Sequence, residues 1–228
     1  MTYPKKLMEE CVECVECRDY QDIKGLLEKG QHPRGWMGSR GNGKVAKVVV
    51  VGKNPGHALN GAMDMSKNQK WKNMTSKQKN QYIMKSSTKT FRDRTRKDKE
   101  STIFHKKIGD YLLRFFELTN VNYVNKKNLH FFIWKTNLFK CSTEKETGAY
   151  IPKPLRKKCA EKFLIEELKF FKPKVIFAFG KPAFNFLRKT DDWKTKAVYF
   201  KHPSVGGWKE GNKELEKALK RATKIYNR

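Results

Sequence analysis

The sequence predicts an α/β protein, a three-layer αβα sandwich around a mostly parallel, four-stranded central sheet. Short apolar runs with strand character alternate along the chain with longer segments of helical periodicity. Four consecutive valines at residues 48–51 are too apolar to face water, which is typical of a strand buried on both faces. The 228 residues contain no repeat and no clear domain boundary, so we expect one domain over residues 1–228.

The composition is strongly basic. Lysine and arginine number 51 against 23 acidic residues, a formal net charge of +28. No fold requires this imbalance, and it favours nucleic acid as partner because counterion release makes phosphate contacts favourable. A membrane surface is the alternative, but the sequence has no amphipathic anchor and no long apolar run. Residues 1–10 are charged and lack an apolar signal segment, so we expect a cytoplasmic, nucleoid-associated protein.

The turn after the valine strand is the first candidate site. It runs from Gly52 to Gly56, and Pro55 prevents further ladder pairing while the glycines let the backbone approach a ligand. Ligand sites of parallel α/β sheets lie at the carboxyl ends of strands. We therefore expect Asn54 and His57 to project into such a site.

The five cysteines suggest a metal site. Cys11, Cys14 and Cys17 form two overlapping C-x-x-C spacings, and Cys141 and Cys159 follow later in the chain. Structural disulfides are not expected in a cytoplasmic protein. Four thiolates suit either zinc or a four-iron cluster, and the spacing does not choose between them. Unrelated free thiols are the simpler alternative.

Residues 58–100 are predicted to be a basic insertion. Lysines in this segment are interleaved with Trp71, Tyr82 and Phe91. This pattern suits a surface that follows a phosphate backbone and stacks on bases. A solvated insertion without such a role is the alternative.

The remaining elements continue the alternation of helices and strands. Two more strands are expected to end near polar side chains, one at Asn137 and the other just before His202. Together with Asn54, these residues would meet at one edge of the sheet. Helices are predicted over about 101–116, 153–171, 183–188 and 212–226, and strands over 48–51, 129–137, 174–179 and 197–200.

These segments resemble the motifs of the uracil-DNA glycosylase superfamily. Gly52-Lys-Asn-Pro-Gly56 resembles the first motif in the Asn-containing form of the mismatch-specific and single-strand-selective members. His202-Pro-Ser204 resembles the second motif. Thr136-Asn137-Leu-Phe-Lys-Cys141, followed by Cys159, is similar to the iron–sulfur branch found in many bacteria and archaea.

The resemblance implies a monofunctional DNA glycosylase, a hydrolase that starts base excision repair. It would flip a deaminated or damaged base, uracil first among them, out of DNA and hydrolyse its N-glycosidic bond. Asn54 would orient the attacking water, His202 would donate to uracil O2, and Asn137 would read the N3 and O4 edge. The remaining candidates are Gly52, Lys53, Gly56, His57 and Ser204 for substrate binding, and Val205, Trp208 and Lys209 for DNA binding. Val205 or Trp208 would fill the vacated stack, although both could equally be packing residues.

The resemblance also implies a 4Fe-4S cluster, with zinc as the alternative. Its ligands would be Cys14, Cys17, Cys141 and Cys159, and Cys11 could replace Cys17 as the partner of Cys14. The cluster would have a structural or DNA-orienting role, because glycosidic hydrolysis needs no electron transfer.

The sequence departs from the family at the base pocket. Uracil-specific relatives have a tyrosine where this chain has Gly56, so thymine, hypoxanthine or another damaged base are alternative targets. The expected partner is single- or double-stranded DNA, and we expect a monomer. The rival hypothesis is a non-catalytic nucleic-acid-binding protein stabilised by an iron–sulfur cluster or zinc.

Overall fold

Four parallel strands form the centre of the fold. β2 (Val48–Gly52) lies between β3 (Ile133–Asn137) and β4 (Val175–Phe179), and β5 (Ala197–Phe200) pairs with β4. A two-residue strand, β1 (Met37–Gly38), runs antiparallel along the outer edge of β3, so the strand order is β1-β3-β2-β4-β5. The computed structural model describes residues 5–17, 37–38, 47–53, 73–79, 81–82, 103–141, 152–203, 208–209 and 211–228.

Helices cover both faces of this sheet and complete the three layers, which confirms the predicted fold class. Two long helices pack on one face, called the α2/α6 face below. The other helices pack on the opposite face, called the α3/α4 face. The principal helices among the described residues are α1 (Lys5–Val12), α2 (Ile103–Leu118), α3 (Lys153–Cys159), α4 (Ile165–Phe171), α5 (Lys181–Arg188) and α6 (Lys213–Tyr226).

The valines of β2 pack against both helical layers. Val48 and Val50 belong to the core on the α2/α6 face, while Val49 and Val51 belong to the core on the α3/α4 face. Because successive side chains of a strand point to opposite faces, only a continuous apolar run can occupy this central position. All five residues of β2 are buried.

The strand predicted over residues 129–137 begins later than expected, at Ile133. Leu129–Phe131 form a 3-10 helix instead. Asn128 explains the difference, because its side-chain amide donates to the Tyr123 carbonyl at 2.7 Å and its Oδ1 accepts from the Asn125 N–H at 2.7 Å. These bonds form the turn that precedes the 3-10 helix. Within the helix the Phe131 N–H donates to the Asn128 carbonyl at 2.8 Å and the Phe132 N–H donates to the Leu129 carbonyl at 3.0 Å, a pattern that is incompatible with extended backbone.

The helix predicted over residues 153–171 contains a π-helical turn. This turn, Ala160–Leu164, joins α3 to α4 directly after Cys159. The Ile165 N–H donates to the Ala160 carbonyl, the i→i+5 bond that defines the π-helix. The turn thus lies beside a predicted metal ligand.

The predicted basic insertion falls largely outside the described residues, which include only 73–79 and 81–82 of it. Within the first of these ranges, Met74 packs against the core on the α3/α4 face. Lys79 Nζ lies 3.2 Å from Glu13 Oε1, just after α1. Across the part of the chain that the structure describes, no helix is both long enough and apolar enough to span a membrane.

Candidate active site

Asn137 and His202 lie at the carboxyl edge of the sheet, where the sequence predicts a site. Asn137 is the last residue of β3 and is in register with Gly52, the last residue of β2. His202 follows β5 by two residues and packs against Gly180, which follows β4. The ends of all four parallel strands therefore contribute to this edge.

The Asn137 side chain lies directly over Gly52. A Cβ atom at Gly52 would come within 2.6 Å of Asn137 Oδ1, so only glycine leaves room for the amide. Asn137 is 6% exposed. The ladder continues beyond both strands, because the Leu138 N–H donates to the Gly52 carbonyl at 2.8 Å and the Phe139 N–H donates to the Lys53 carbonyl at 2.9 Å. The amide is thus held between two fixed strand ends.

His202 is half-buried and sits in a positive environment. A Cβ atom on Gly180 would lie 3.7 Å from His202 Cβ, which shows how closely the histidine approaches the backbone there. Burial lowers the pKa of His202, and the charges of Lys135 and Lys53 lower it further. The imidazole is therefore neutral at pH 7 and keeps one N–H donor.

Two basic residues whose charges act on this site, Lys135 on His202 and Arg156 on Lys53, were not predicted as site residues from the sequence. Lys135 lies in the middle of β3 and is buried, and the signal that could have revealed it is a lysine inside an apolar strand. Arg156 on α3 lies close enough to Lys53 to contribute to the lowered pKa of that lysine, after burial. Together these residues give the edge a positive potential that suits an anion.

Trp208 is held against the body of the protein. Its ring packs 5.9 Å from the Tyr199 ring and 6.1 Å from the Phe200 ring. The Tyr111 hydroxyl donates to the Trp208 carbonyl at 2.7 Å and also lies 3.1 Å from the Trp208 amide nitrogen. Trp208 therefore anchors the chain after His202. The next residue, Lys209, is exposed.

The other predicted site residues cannot be placed relative to this edge. Asn54, Gly56, His57, Ser204 and Val205 all lie outside the described residues. Lys53 and Gly52, which begin the same turn, are described and lie at the carboxyl edge. The structure thus brings together Gly52, Lys53, Asn137 and His202.

Four of the five cysteines line one small pocket on the α3/α4 face. They are Cys14, Cys17, Cys141 and Cys159. Cys11 is buried in the core on the same face and is not part of the lining. No three histidine, cysteine, aspartate or glutamate side chains among the described residues are arranged as a ready metal-ligand set. The donor type nevertheless fits zinc or an iron–sulfur cluster, since both bind four thiolates.

Burial favours the protonated form of most pocket thiols. It raises the pKa of Cys159 to about 12, and it raises the pKa of Cys14. A hydrogen bond from Cys141 lowers the pKa of Cys17, and the same bond, together with burial, raises the pKa of Cys141 well above its usual range. A bound cation would be needed to hold all four as thiolates.

Ion pairs fasten the N-terminal cysteine segment to the helix that carries Cys159. Glu16, between Cys14 and Cys17, lies 2.9 Å from Lys158 Nζ and also accepts a hydrogen bond from Lys162. These two lysines are four residues apart and so share one helical face. The pairing brings the two halves of the pocket together.

A buried ion pair lies between the cysteine pocket and β3. Lys140 is fully buried, and its ammonium donates to Glu167 Oε1 at 2.8 Å and to Thr136 Oγ1. Trp134 Nε1 donates to the other oxygen of Glu167 at 3.4 Å. The Lys140 amide donates to Cys159 Sγ at 3.4 Å, so one residue contacts both the pocket and the strand that presents Asn137.

The fold defines an α/β protein with a ligand site at the carboxyl edge of its sheet. The site is electropositive, and its amide and imidazole groups can recognise a ligand by hydrogen bonds. The model of the uracil DNA glycosylase superfamily matches residues 39–223, and the chain belongs to this superfamily. Membership supports a DNA-acting hydrolase of the glycosylase type, with a role in DNA repair. A search of curated proteins finds no significant match.

Proposed function

We propose that the protein is a monofunctional DNA glycosylase that flips uracil out of DNA and hydrolyses its N-glycosidic bond. The observation that carries this proposal is the position of the buried Asn137 amide over Gly52, at the same edge as a neutral His202 flanked by lysines. Removal of the base from the stack costs a few kcal/mol, and a damaged or mismatched base costs least.

Asn137 is proposed to read the Watson–Crick edge of the base. Its amide offers one donor and one acceptor, which match the O4 and N3–H groups of uracil. Cytosine presents the reverse pattern and would leave buried polar groups unpaired, which typically costs about 1–3 kcal/mol for each group. Because a β carbon on residue 52 would displace the amide, Gly52 contributes to recognition by leaving space.

His202 is proposed to stabilise the departing base. Cleavage of the glycosidic bond leaves an oxocarbenium sugar and a uracil anion, so the enzyme must stabilise charge that develops on the base. A neutral imidazole can donate its N–H to uracil O2. Lys53 and Lys135, whose charges reach His202, would add a favourable potential for the same anion.

Because the first motif resembles that of the family, Asn54 is proposed to position the water that attacks the sugar. An amide cannot act as a general base at neutral pH, so this residue would orient the water without accepting its proton. Gly56 would leave the C5 edge of the base open, so thymine and hypoxanthine are the alternative substrates to test. His57 and Ser204 are proposed to contact the base or its sugar.

DNA would approach along the carboxyl edge. Lys209 is exposed beside the anchored Trp208 and is proposed to contact a phosphate. Val205 is the better candidate for the residue that fills the vacated stack, because the Trp208 ring already packs on Tyr199 and Phe200. We propose a monomer with a single domain, in keeping with the sequence.

Cys14, Cys17, Cys141 and Cys159 are proposed to hold a 4Fe-4S cluster. Their shared pocket and the ion pairs of Glu16 support this ligand set over one that contains Cys11. When bound, the cluster supplies a crosslink between the N-terminal segment and α3. Zinc would supply the same crosslink, so metal identity must be measured.

The decisive experiment measures strand cleavage by alkali after incubation of the protein with labelled oligonucleotides. Each oligonucleotide carries one uracil, thymine or hypoxanthine and is tested single-stranded and paired. Asn137→Asp removes the donor of the amide and should lower uracil release by about 10²- to 10³-fold with DNA affinity retained. Asn185→Asp, an exposed change of the same chemistry on α5, should have no effect. If the unsubstituted protein binds DNA yet releases no base, the protein is a binding protein without catalysis.

The ligand set is tested by metal analysis of cysteine variants. Cys14→Ala, Cys17→Ala, Cys141→Ala and Cys159→Ala should each lower the metal content and bleach the visible absorbance of an iron–sulfur protein. Cys11→Ala is the matched control and should retain both. A colourless protein with one zinc per chain would show that the metal is zinc and not an iron–sulfur cluster. Metal loss in Cys11→Ala together with metal retention in Cys17→Ala would show that Cys11 takes the place of Cys17 as a ligand.

A further inference from the structure

The amino ends of the strands form a second edge, opposite the candidate active site, and lysines cluster there. Lys47 directly precedes β2 and Lys174 directly precedes β4. The Lys174 N–H donates to the Lys47 carbonyl at 2.9 Å, so the two residues are adjacent. Lys172 follows the last residue of α4, only two residues before Lys174. All three lysines are exposed.

The loop that leads into β3 presents two exposed aromatic rings at this edge. Tyr123 is 63% exposed and Phe131 is 39% exposed. Asn128 holds both ends of the loop, because its side chain donates to the Tyr123 carbonyl at 2.7 Å and its carbonyl accepts from the Phe131 N–H at 2.8 Å. A loop fixed by its own hydrogen bonds loses little entropy when a ligand binds.

Tyr226, near the end of α6, connects the loop with the lysines. Lys174 Nζ lies 5.1 Å from the centroid of the Tyr226 ring and donates to the Tyr226 carbonyl at 3.1 Å. Burial and then the nearby Tyr123 raise the pKa of Tyr226, so the two tyrosines are neighbours. The Tyr123 ring also packs 5.4 Å from the Phe132 ring. Lys126, in the same loop as Tyr123, is exposed as well. We call these exposed lysines and rings at the amino-terminal edge the distal surface, formed by Lys47, Tyr123, Lys126, Phe131, Lys172 and Lys174.

The distal surface is positively charged. Lys47, Lys126 and Lys172 are exposed, and none of them takes part in an ion pair between described residues. Exposed aromatic rings beside lysines are the combination that binds single-stranded nucleic acid, because bases stack on the rings while ammonium groups contact phosphates. An acidic protein would satisfy the charges but would not require the exposed rings.

We propose that the distal surface binds a second segment of single-stranded nucleic acid, apart from the segment engaged at the candidate active site. The five-residue strands separate the two edges by about 17 Å. A strand that occupies both edges must therefore pass around the protein. This inference goes beyond the proposed function and does not depend on base release.

The test measures the affinity of the full-length protein for single-stranded oligonucleotides of about 40 nucleotides, several times the usual site size. Tyr123→Ala should weaken binding about ten-fold, and Tyr123→Phe, which retains the ring, should not. The double change Lys126→Gln with Lys172→Gln should reduce the slope of log affinity against log salt by about 0.7 for each phosphate that the removed ammonium groups neutralise. Lys6→Gln with Lys220→Gln removes the same charge from exposed positions elsewhere and is the matched control.

Unchanged affinity and unchanged salt slope in the distal-surface variants would overturn the proposal and would leave an acidic protein as the expected occupant. An equal loss in the control pair would also overturn it, because the effect would then come from net charge alone. Base release from oligonucleotides of about 8 nucleotides should stay normal in all these variants. Because affinity is measured without catalysis, a protein that releases no base would refute the proposed function and leave this test valid.

Discussion

At the scale of single residues, Gly52 and Asn137 depend on each other. The amide oxygen occupies the space that a side chain at residue 52 would need, at 2.6 Å from the position of a Cβ atom. Gly52→Ala should therefore displace the amide, lower base release by at least ten-fold, and cost about 1–3 kcal/mol of stability from overpacking.

Gly211→Ala is the matched control for this change. Gly211 has φ +76°, so alanine is strained there, but nothing lies within 4 Å of an added Cβ. This variant should lose stability in urea denaturation and keep full activity. If Gly52→Ala retained normal base release, Asn137 could not be the residue that reads the base.

His202 makes a pH-dependent contribution to stability. Its pKa in the folded protein is lowered, chiefly by burial, so the unfolded chain binds a proton more readily than the folded protein does. Stability should therefore fall as the pH drops from the ordinary histidine pKa of about 6.5 towards the lower folded value. Urea denaturation between pH 5 and pH 8 measures this, and His202→Gln should flatten the profile in that window. An identical profile in the variant would contradict the assignment.

At the scale of elements, the Lys140–Glu167 pair fixes β3 to α4. Both side chains are essentially unexposed, so removal of one leaves the other charge buried without its partner. Lys140→Met should cost about 3–5 kcal/mol in urea denaturation, while the double change with Glu167→Gln should recover much of this loss. Metal content should be measured in parallel, because the Lys140 amide contacts Cys159. Additive losses in the double variant would show that the two residues act independently.

Local sequence patterns predict the position of a strand correctly where the tertiary packing agrees with the local secondary-structure preference. The valine run located β2, and its alternating contacts with both helical layers explain why the prediction succeeded. The start of β3 was predicted four residues too early, because side-chain bonds of Asn128 override the apolar run from Leu129. These bonds join residues only three and five positions apart, but the apolar run itself gives no sign of them.

The candidate site was predictable only in part. Asn137 ends one strand and His202 follows another, so their placement at one edge follows from the parallel topology. Lys135 and Lys140 were missed, because most lysines in so basic a chain lie on the surface. Only the tertiary structure shows that Lys140 has a buried carboxylate partner 27 positions away.

At the scale of the whole molecule, the net charge of +28 is larger than the phosphate contacts of one small site would require. Lysines at both edges of the sheet suggest many phosphate contacts. We expect affinity for any nucleic acid to fall by about 10³-fold or more between 50 mM and 200 mM salt, as for proteins with six or more contacts. Titrations with an undamaged oligonucleotide measure this, and a salt-independent affinity would contradict the nucleic-acid interpretation of the charge.

The short strand β1 has a consequence for how the N-terminal region can be studied. It is the outermost strand of the sheet and covers two residues of β3, Trp134 and Lys135. A truncation that removed the first 40 residues would delete the N-terminal cysteines and also uncover hydrogen-bonding groups of β3, and an uncovered sheet edge promotes self-association. Aggregation of such a fragment would therefore say nothing about metal binding, and point substitutions of the cysteines are the appropriate alternative.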